Sequence, residues 1–577
     1  MRLYQKLNLK QYCNELHYTL IAVILLFASF NSKLFIFFLI VYLIFLLLTK
    51  KDIKLIIILL CVFSILNIYQ EYKKHKTLPQ DIVVTVIDKE ASYVIGYYKN
   101  YKVLLYTQDD IKCGDVISCN ISVNDIEEKS YQEDFDLKKY YHSKGIYHTY
   151  NINSYTKLKT KTNINTIKYK LINYYEQVLN EECFVYVKAL FLGQNDFNDE
   201  LKNAYSLLGI SHILAISGLH INMLYTALVF IFRRLFRIHH DTVPIIIIGI
   251  YVFIIGFPVS CIRALIYLLI KSYDSTKRLK FTKLDILSIS FVVILFLMPY
   301  AFNQTGFQLT FLVSFLLCFS YDLIKTKSAL LNSYLTYVLV MLITLPVITS
   351  FINYFSFTSI LLSPILTIVA SFVLVPLAFI LAIPFLGGVV NVILAPMLNL
   401  FTTFTLNLSN HTIGFSLCSF NFYTSLIYYV IYFIILVCIS AKRPYLKYVM
   451  LLFIYLLFIN NITFIDPYNR ITFIDGGQGD STLITLKNHK GNILIDCYNS
   501  YEYLNKKGIR ELDYLILTHS DSDHIKDLDL ILENIEVDKV IIPKYDNGFM
   551  SYYNKATFVL AQTNDVFIID NIKINIL

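Results

Sequence analysis

LFIFFLIVYLIFLLL (34–48) and IIIIGIYVFIIGF (245–257) are long apolar runs without a single charged residue, and they decide how the rest of the chain is read. Similar runs recur near 16–30, 55–69, 210–232, 259–272, 285–299, 307–323, 333–349, 358–382, 386–407, 424–439 and 447–460. Several are shorter than the roughly 20 residues a spanning helix needs, but their number predicts a polytopic α-helical membrane protein. Composition agrees. Of 577 residues, 56% are hydrophobic and 16% charged, with a mean hydropathy of +0.55, against roughly 45–50% and 25% in soluble domains. That excludes an ordinary soluble enzyme. The first run, from about Leu16 to Phe30, continues into a second span without a small-residue cleavage site, so it reads as a transmembrane helix rather than a signal peptide.

The net charge of +8 is less informative than its placement. Cytoplasmic loops of membrane proteins collect Lys and Arg. Arg2, Lys6 and Lys10, then Lys50, Lys51 and Lys54, flank the first two spans. Arg233, Arg234 and Arg237 follow the fourth span, Lys271, Lys277, Arg278 and Lys280 the sixth, Lys325 and Lys327 the eighth. Lys442, Arg443 and Lys447 precede the last span. All fall on one side if each span crosses once. Two polar stretches, 71–205 and 461–577, are thereby placed outside a plasma membrane, with Lys73, Lys74 and Lys76 a mild exception. The expected domains are N-terminal transmembrane helices (1–70), an external β module (71–160), amphipathic linker helices (161–205), a transmembrane block (206–460) and a second external module (461–577).

Residues 80–155 alternate short β-rich segments with turn signals such as Lys112-Cys113-Gly114-Asp115. This pattern predicts a small barrel of the OB type. Cys113 and Cys119 are a candidate disulfide in an oxidising compartment. Residues 136–170 then hold eight lysines against the single acid Asp136, interleaved with tyrosines. Cations that follow phosphates beside rings that stack on bases suit sequence-independent binding of single-stranded nucleic acid. Lys138, Lys139, Tyr140, Tyr141 and Lys144 are the candidate contacts, and a merely solvated Lys/Tyr surface is the alternative.

In the last module a strand Tyr514-Leu515-Ile516-Leu517 runs into His519-Ser520-Asp521-Ser522-Asp523-His524. Such a run places four metal-ligand residues within six positions. His519 and Asp521 are expected to serve one divalent ion, zinc or manganese, while Asp523 and His524 turn toward a second about 3.5–4 Å away. Asp523 is the candidate catalytic carboxylate. In the membrane block, Ser217, His220, Arg263 and Gln308 are polar groups at apolar spans, where they need partners or water, and they are the candidate lining of an aqueous pathway. His212 and His220, eight residues apart, would share one broad face of a continuous helix.

With these residues in view, the chain resembles the ComEC family of bacterial competence proteins, integral-membrane channels for DNA uptake in natural transformation. The resemblance rests on Asp136-Leu137 with Lys144-Gly145-Ile146, on Ala189 to Gly193, and on Gly209 through Leu214-Ala215-Ile216-Ser217-Gly218-Leu219-His220. It continues in Pro258 to Ala264, in Gly306 to Thr310, and in Phe473 to Asp480 with the His519–His524 run. It implies an OB-like module, a membrane competence domain and a metallo-β-lactamase-like αββα module, the last a nuclease for the strand not imported. Implied partners are single-stranded DNA, membrane lipid and other competence machinery.

Three features depart from the family pattern. Asp496-Cys497-Tyr498 stands where an Asp-Thr-Gly-like turn is usual, and Lys526-Asp527 stands where two glycines are usual. Only about 115 residues follow the last span, and no histidine follows His524. The expectation is a partial module that binds metal weakly unless another polypeptide completes it. Two functions compete: a channel importing single-stranded DNA, and a membrane-anchored external metal-dependent hydrolase or nuclease. A small-solute transporter is a third, disfavoured by the lack of an inverted repeat of broken helices.

Overall fold

The computed structural model describes residues 21, 65, 68, 69 and 71–577, apart from 91, 127–128, 130–135, 238–240, 278–280, 300, 325, 350–351, 462–465, 571 and 577. The expected spans 16–30, 34–48 and 55–69, with the basic residues around them, lie almost wholly outside the described residues. The chain divides into two compact units, one of residues 1–127, 137–343 and 356–413, the other of 128–136, 344–355 and 414–577.

In the first unit, strands β1 (Asp81–Lys89), β2 (Tyr93–Tyr98), β3 (Tyr101–Tyr106), β4 (Asp115–Asn124) and β5 (Ile146–Thr160) close a barrel in the order β1-β2-β3-β5-β4. β3 and β5 pair in parallel and the other neighbours are antiparallel, a Greek-key arrangement of the OB type. Alternation sets the faces. Ile82, Val84 and Val86 point into the barrel and Val83 points out. Gly96 is required where β2 crosses β1, because a Cβ there would sit 2.3 Å from Val84 Cγ1 and 2.8 Å from the Thr85 carbonyl.

Behind the barrel come helices Ile164–Val178, Glu181–Leu190 and Asp199–Leu207. Sequence reading treats them as an amphipathic linker. In the structure their apolar faces pack into a core with helices Phe357–Val369, Val375–Leu381 and Leu386–Ser409. Polar links fix that packing: Tyr175 Oη donates to the Ala382 carbonyl at 2.6 Å, and Tyr186 Oη lies 2.9 Å from Thr402 Oγ1. A second core joins helices Gly218–Leu235, Thr242–Ile254, Val259–Lys277, Lys283–Leu297 and Thr305–Ile324. Phe191 touches both cores, stacking on Tyr251 at 5.5 Å and meeting Phe379 edge-on at 5.4 Å.

Each apolar run expected from residue 210 onward carries a helix. Among the described residues, four stretches are long and apolar enough to cross a bilayer: Leu331–Ile348, Phe357–Leu381, Leu386–Ser409 and Phe422–Ser440. Thr242–Ile254, Thr305–Cys318 and Leu446–Asn460 are apolar but shorter. The chain is a membrane protein.

In the second unit, helices Phe422–Ser440 and Leu446–Asn460 precede the C-terminal module. Two short strands, β6 (Tyr354–Ser356) and β7 (Gly414–Ser416), pair nearby. The module is a six-stranded sheet built from β8 (Arg470–Phe473), β9 (Thr482–Thr485), β10 (Asn492–Ile495), β11 (Glu511–Ile516), β12 (Glu536–Pro543) and β13 (Phe558–Ala561), in the order β13-β12-β11-β10-β9-β8. β10 to β13 run parallel and β8 to β10 antiparallel. The parallel strands are buried on both faces, which is why they read as unbroken apolar runs. On one face Leu494, Leu515 and Val540 pack under helices Tyr501–Lys507 and Leu528–Asn534. The other face, with Ile493, Ile516 and Ile541, is covered by Ile569 and the hairpin of β14 (Val566–Ile569) and β15 (Ile572–Asn575). An αββα sandwich places its second sheet on that face.

Candidate functional sites

In the C-terminal module, neighbouring parallel strands end side by side and deliver Asp496 after β10, His519 to His524 after β11, and Asp546 after β12. Open α/β sheets place their ligand sites at such strand ends. His519, Asp523 and His524 each offer a ligand atom, all within 4.8 Å of one another. The imidazole rings of His519 and His524 lie with centroids 3.8 Å apart. Asp521 is not in that group, although one of its carboxylate oxygens lies 3.4 Å from His519 Nε2. Helix Ser522–Ile525 begins directly after Asp521, and its backbone turns Asp523 and His524 toward His519.

Asp496 is the residue that sequence reading missed. Its Oδ1 accepts the Thr518 backbone N–H and its Oδ2 the Thr518 hydroxyl, each at 2.8 Å. Oδ2 also lies 2.9 Å from His524 Nδ1. The buried carboxylate thus fixes the ring and turns Nε2 toward the cluster, the orienting role that carboxylates play behind metal-bound histidines. This hydrogen bond, with the charges of Asp496, Asp523 and Asp480, pushes the His524 imidazole above its ordinary value. Asp496 adopts φ +54°, in the left-handed region where a non-glycine residue is strained. The departure at Asp496-Cys497-Tyr498 noted in the sequence is the place where this residue could have been found.

Asp546 braces the loop from its other side, accepting the Ser520 N–H and hydroxyl at 2.8 Å each. The Gly548 N–H and the two Ser520 donors hold its carboxyl below the usual range. The glycine turn is fitted to the same loop. A Cβ on Gly479 would sit 2.1 Å from the Asp523 carbonyl and 2.3 Å from Tyr498 Cγ, so no larger residue fits there. Two imidazoles and a carboxylate, one imidazole oriented by a buried acid, suit a borderline divalent ion.

In the membrane block, the Leu214–His220 string is not one helix. Ser211–Ile213 is a 3-10 turn, Leu214 to Ser217 are non-helical, and regular helix begins at Gly218. The broad polar face expected from His212 and His220 on one helix does not exist. His220 instead accepts the Ser217 N–H on Nδ1 at 3.2 Å and is buried, a helix cap. Hydroxyls from other helices satisfy the interrupted backbone. Ser363 donates to the Leu208 carbonyl, Tyr337 to Gly209 at 3.4 Å, and Ser260 to Ile216 at 2.8 Å. Irregular backbone in a membrane domain needs such partners, since lipid offers none.

Arg263 lies one turn after Ser260. Its guanidinium donates to Ser314 Oγ and to the Thr310 carbonyl, and Nη2 lies 3.4 Å from where a Cβ on Gly218 would be. Ser217, His220 and Arg263 are thus brought together around the start of helix Gly218–Leu235. Gln308 is not among them; its Nε2 donates to the Phe302 carbonyl at 3.0 Å and closes the turn Ala301–Asn303.

At the barrel, Lys138, Lys139, Tyr140 and Tyr141 occupy the short helix Leu137–Ser143 and Lys144 follows it. Lys144 Nζ lies 4.3 Å over the Tyr140 ring. Tyr141 is 7% exposed and packs on Ile95, Leu104 and Ile146, so it is core rather than a stacking surface. Cys113 and Cys119 are free thiols and do not meet. Their sulfurs face the carbonyls of Ile87 and Ile82, five residues apart along β1, or roughly 16 Å at 3.3 Å per residue. Antiparallel pairing of β4 with β1 carries the expected disulfide partners apart.

Two family models match separate stretches of the chain. Residues 190–442 match the family model "Competence protein", and residues 474–559 match "Metallo-beta-lactamase superfamily". Over 546 aligned residues the chain is 25% identical to "ComE operon protein 3" of Bacillus subtilis (strain 168), covering 85% of this chain and 68% of that protein. It is 28% identical over 205 residues to "Uncharacterized protein MG316" of Mycoplasma genitalium, covering 35% of this chain and 53% of the other. No solved structure matches. With a competence domain laid over the membrane helices, a closed barrel before it and a metallo-β-lactamase domain after it, the chain is similar in sequence and domain order to the ComEC family of competence proteins.

Proposed function

We propose that the chain is the multi-pass channel through which single-stranded DNA crosses the plasma membrane in natural transformation. A DNA-uptake role in competence is supported by the competence domain and by the Bacillus relative. The observation that carries the channel reading is the interrupted segment Leu208–Ser217 inside the competence domain, its carbonyls held by hydroxyls of other helices, with Arg263 beside its end. Transporters break helices in this way where a substrate passes. Ser217, His220 and Arg263 form the pathway group, with His220 holding the helix start, while Gln308 shapes the turn that precedes Thr305. Lys138, Lys139, Tyr140 and Lys144 on the barrel are the strand contacts, and other competence proteins are the partners. In cells lacking their own uptake channel, this chain should restore import of labelled DNA. Arg263→Leu should reduce import at equal protein level, and unchanged import would remove Arg263 from the pathway.

The orientation follows from loop charge. The barrel meets the link between helices Lys283–Leu297 and Thr305–Ile324, whose other ends adjoin, in sequence, the basic loops 271–280 and 325–327. In the second unit, Ser419 and Asn460 lie on the module's side, and Lys442, Arg443 and Lys447 join the opposite helix ends. With basic loops inside, residues 71–205 and 461–577 are external.

A second reading, an external metal-dependent nuclease, is favoured by the cluster of His519, Asp523 and His524. These residues would hold zinc or manganese, which supplies an activated water. His524 is oriented by Asp496, and Asp523 is the carboxylate placed to take part in proton transfer. Three ligands make a weak site, and Asp521 or a further polypeptide would complete it. Metal-dependent cleavage of a labelled strand, lost in His519→Ala/Asp523→Ala, would establish this activity, and its absence would leave the module non-catalytic.

A further inference from the structure

A cavity of about 210 Å³ opens between the barrel and the end of helix Lys283–Leu297. Its walls carry Lys73, Lys102 and Lys144 with Tyr97 and Tyr101, its floor is Leu297 to Pro299, and none of its described lining residues is acidic. The hydrogen-bond acceptors of Lys73 and Lys102 are neutral, while Lys144 lies over the Tyr140 ring and interacts with the charge of Glu90. Lys73 Nζ donates to the Asn100 carbonyl at 2.9 Å and lies 5.8 Å from the Tyr101 ring centroid; Lys102 Nζ donates to the Lys144 carbonyl at 3.3 Å. One such bond occupies one of three N–H donors on each ammonium. Burial, together with the charge of Lys144, pulls Lys102 below the usual lysine value, although Asp88 acts the other way. An anion between these lysines would relieve that repulsion.

We propose that this cavity binds the phosphate headgroup of an anionic phospholipid, with its acyl chains descending along the exposed face of Leu297. The shared chemistry is a phosphate anion, and the surroundings favour lipid as its source. Leu297 is 65% exposed at the end of an apolar helix, so cation, tyrosine and aliphatic surface meet where a membrane interface would lie. A nucleic-acid strand needs an extended groove with successive stacking rings, whereas this cavity is compact. The lipid would join barrel to membrane domain beside the Gln304–Ser143 hydrogen bond.

The full chain in detergent should retain phosphatidylglycerol over phosphatidylcholine when native mass spectrometry counts bound lipids after exposure to both. At about fivefold per lysine, Lys73→Gln/Lys102→Gln should cut that retention by about 25-fold. The control Lys112→Gln/Lys544→Gln removes the same charge from exposed positions outside the cavity and should leave retention unchanged. Equal retention of both lipids, or equal loss in the control, overturns the proposal. Displacement of the lipid by inorganic phosphate at equal concentration would make free phosphate the ligand, and displacement by an oligothymidylate would make it the DNA backbone. Either result overturns it too.

Discussion

Gln304 Nε2 donates to the Ser143 carbonyl at 3.0 Å, tying the helix that follows the barrel's fourth strand to the turn that precedes helix Thr305–Ile324. That turn lies at the end of helix Thr305–Ile324 remote from Lys327. In the second unit, Asn460 lies at the module's end of helix Leu446–Asn460 and Lys442 beside the opposite helix ends; with basic loops inside, a membrane-impermeant maleimide applied to intact cells should label Asn499→Cys and miss Lys442→Cys, both of which are exposed positions. Labelling of Lys442→Cys from outside would reverse the orientation.

Ser363 is fully buried and donates to the Leu208 carbonyl. Ser363→Ala leaves that carbonyl without its donor at the interrupted segment, and hydrogen bonds between membrane helices are worth about 0.6 kcal/mol on average and at most about 1.7. The expected result is a destabilisation of that size in detergent, with lower DNA import at equal protein level. Unaltered stability and import would mean that the break is satisfied elsewhere.

Asp496 should matter to metal binding although it is not one of the three clustered ligands. Loss of an orienting carboxylate weakens metal affinity by about 10–100-fold. Titration calorimetry of Asp496→Asn with zinc should show that loss. An affinity equal to that of the unaltered chain would assign the acid to the fold alone.

Burial raises the Cys119 thiol from 9.0 to about 11. The folded barrel holds this proton more tightly than the unfolded chain does, so the associated stability is fully present below about pH 9 and lost as pH climbs toward 11. Alkylation of the native chain should spare Cys119 at pH 8 and accelerate between pH 9 and 11. Rapid modification at pH 8 would contradict the buried, neutral thiol.

Much of this protein is written locally. Uncharged runs such as 358–382 and 386–407 dictate membrane helices because a helix satisfies its backbone within one segment in lipid. Period-two alternation in Ile82 to Val86 dictates a strand with one buried face, and six residues from His519 to His524 announce a loop of candidate metal ligands. Other features required the third dimension. Asp496 and Asp546 lie 23 residues before and 27 after His519, and only the side-by-side ends of three parallel strands bring them to the loop. Sequence spacing likewise suggests one helix through His212 and His220, yet hydroxyls from Ser260, Tyr337 and Ser363 make an interrupted backbone affordable there. The separation of Cys113 from Cys119 was set by strand pairing, not by their distance in sequence. Local pattern chose the elements, because hydrophobic periodicity acts within a few residues; long-range hydrogen bonds chose the sites, because their donors and acceptors come from segments far apart in the chain.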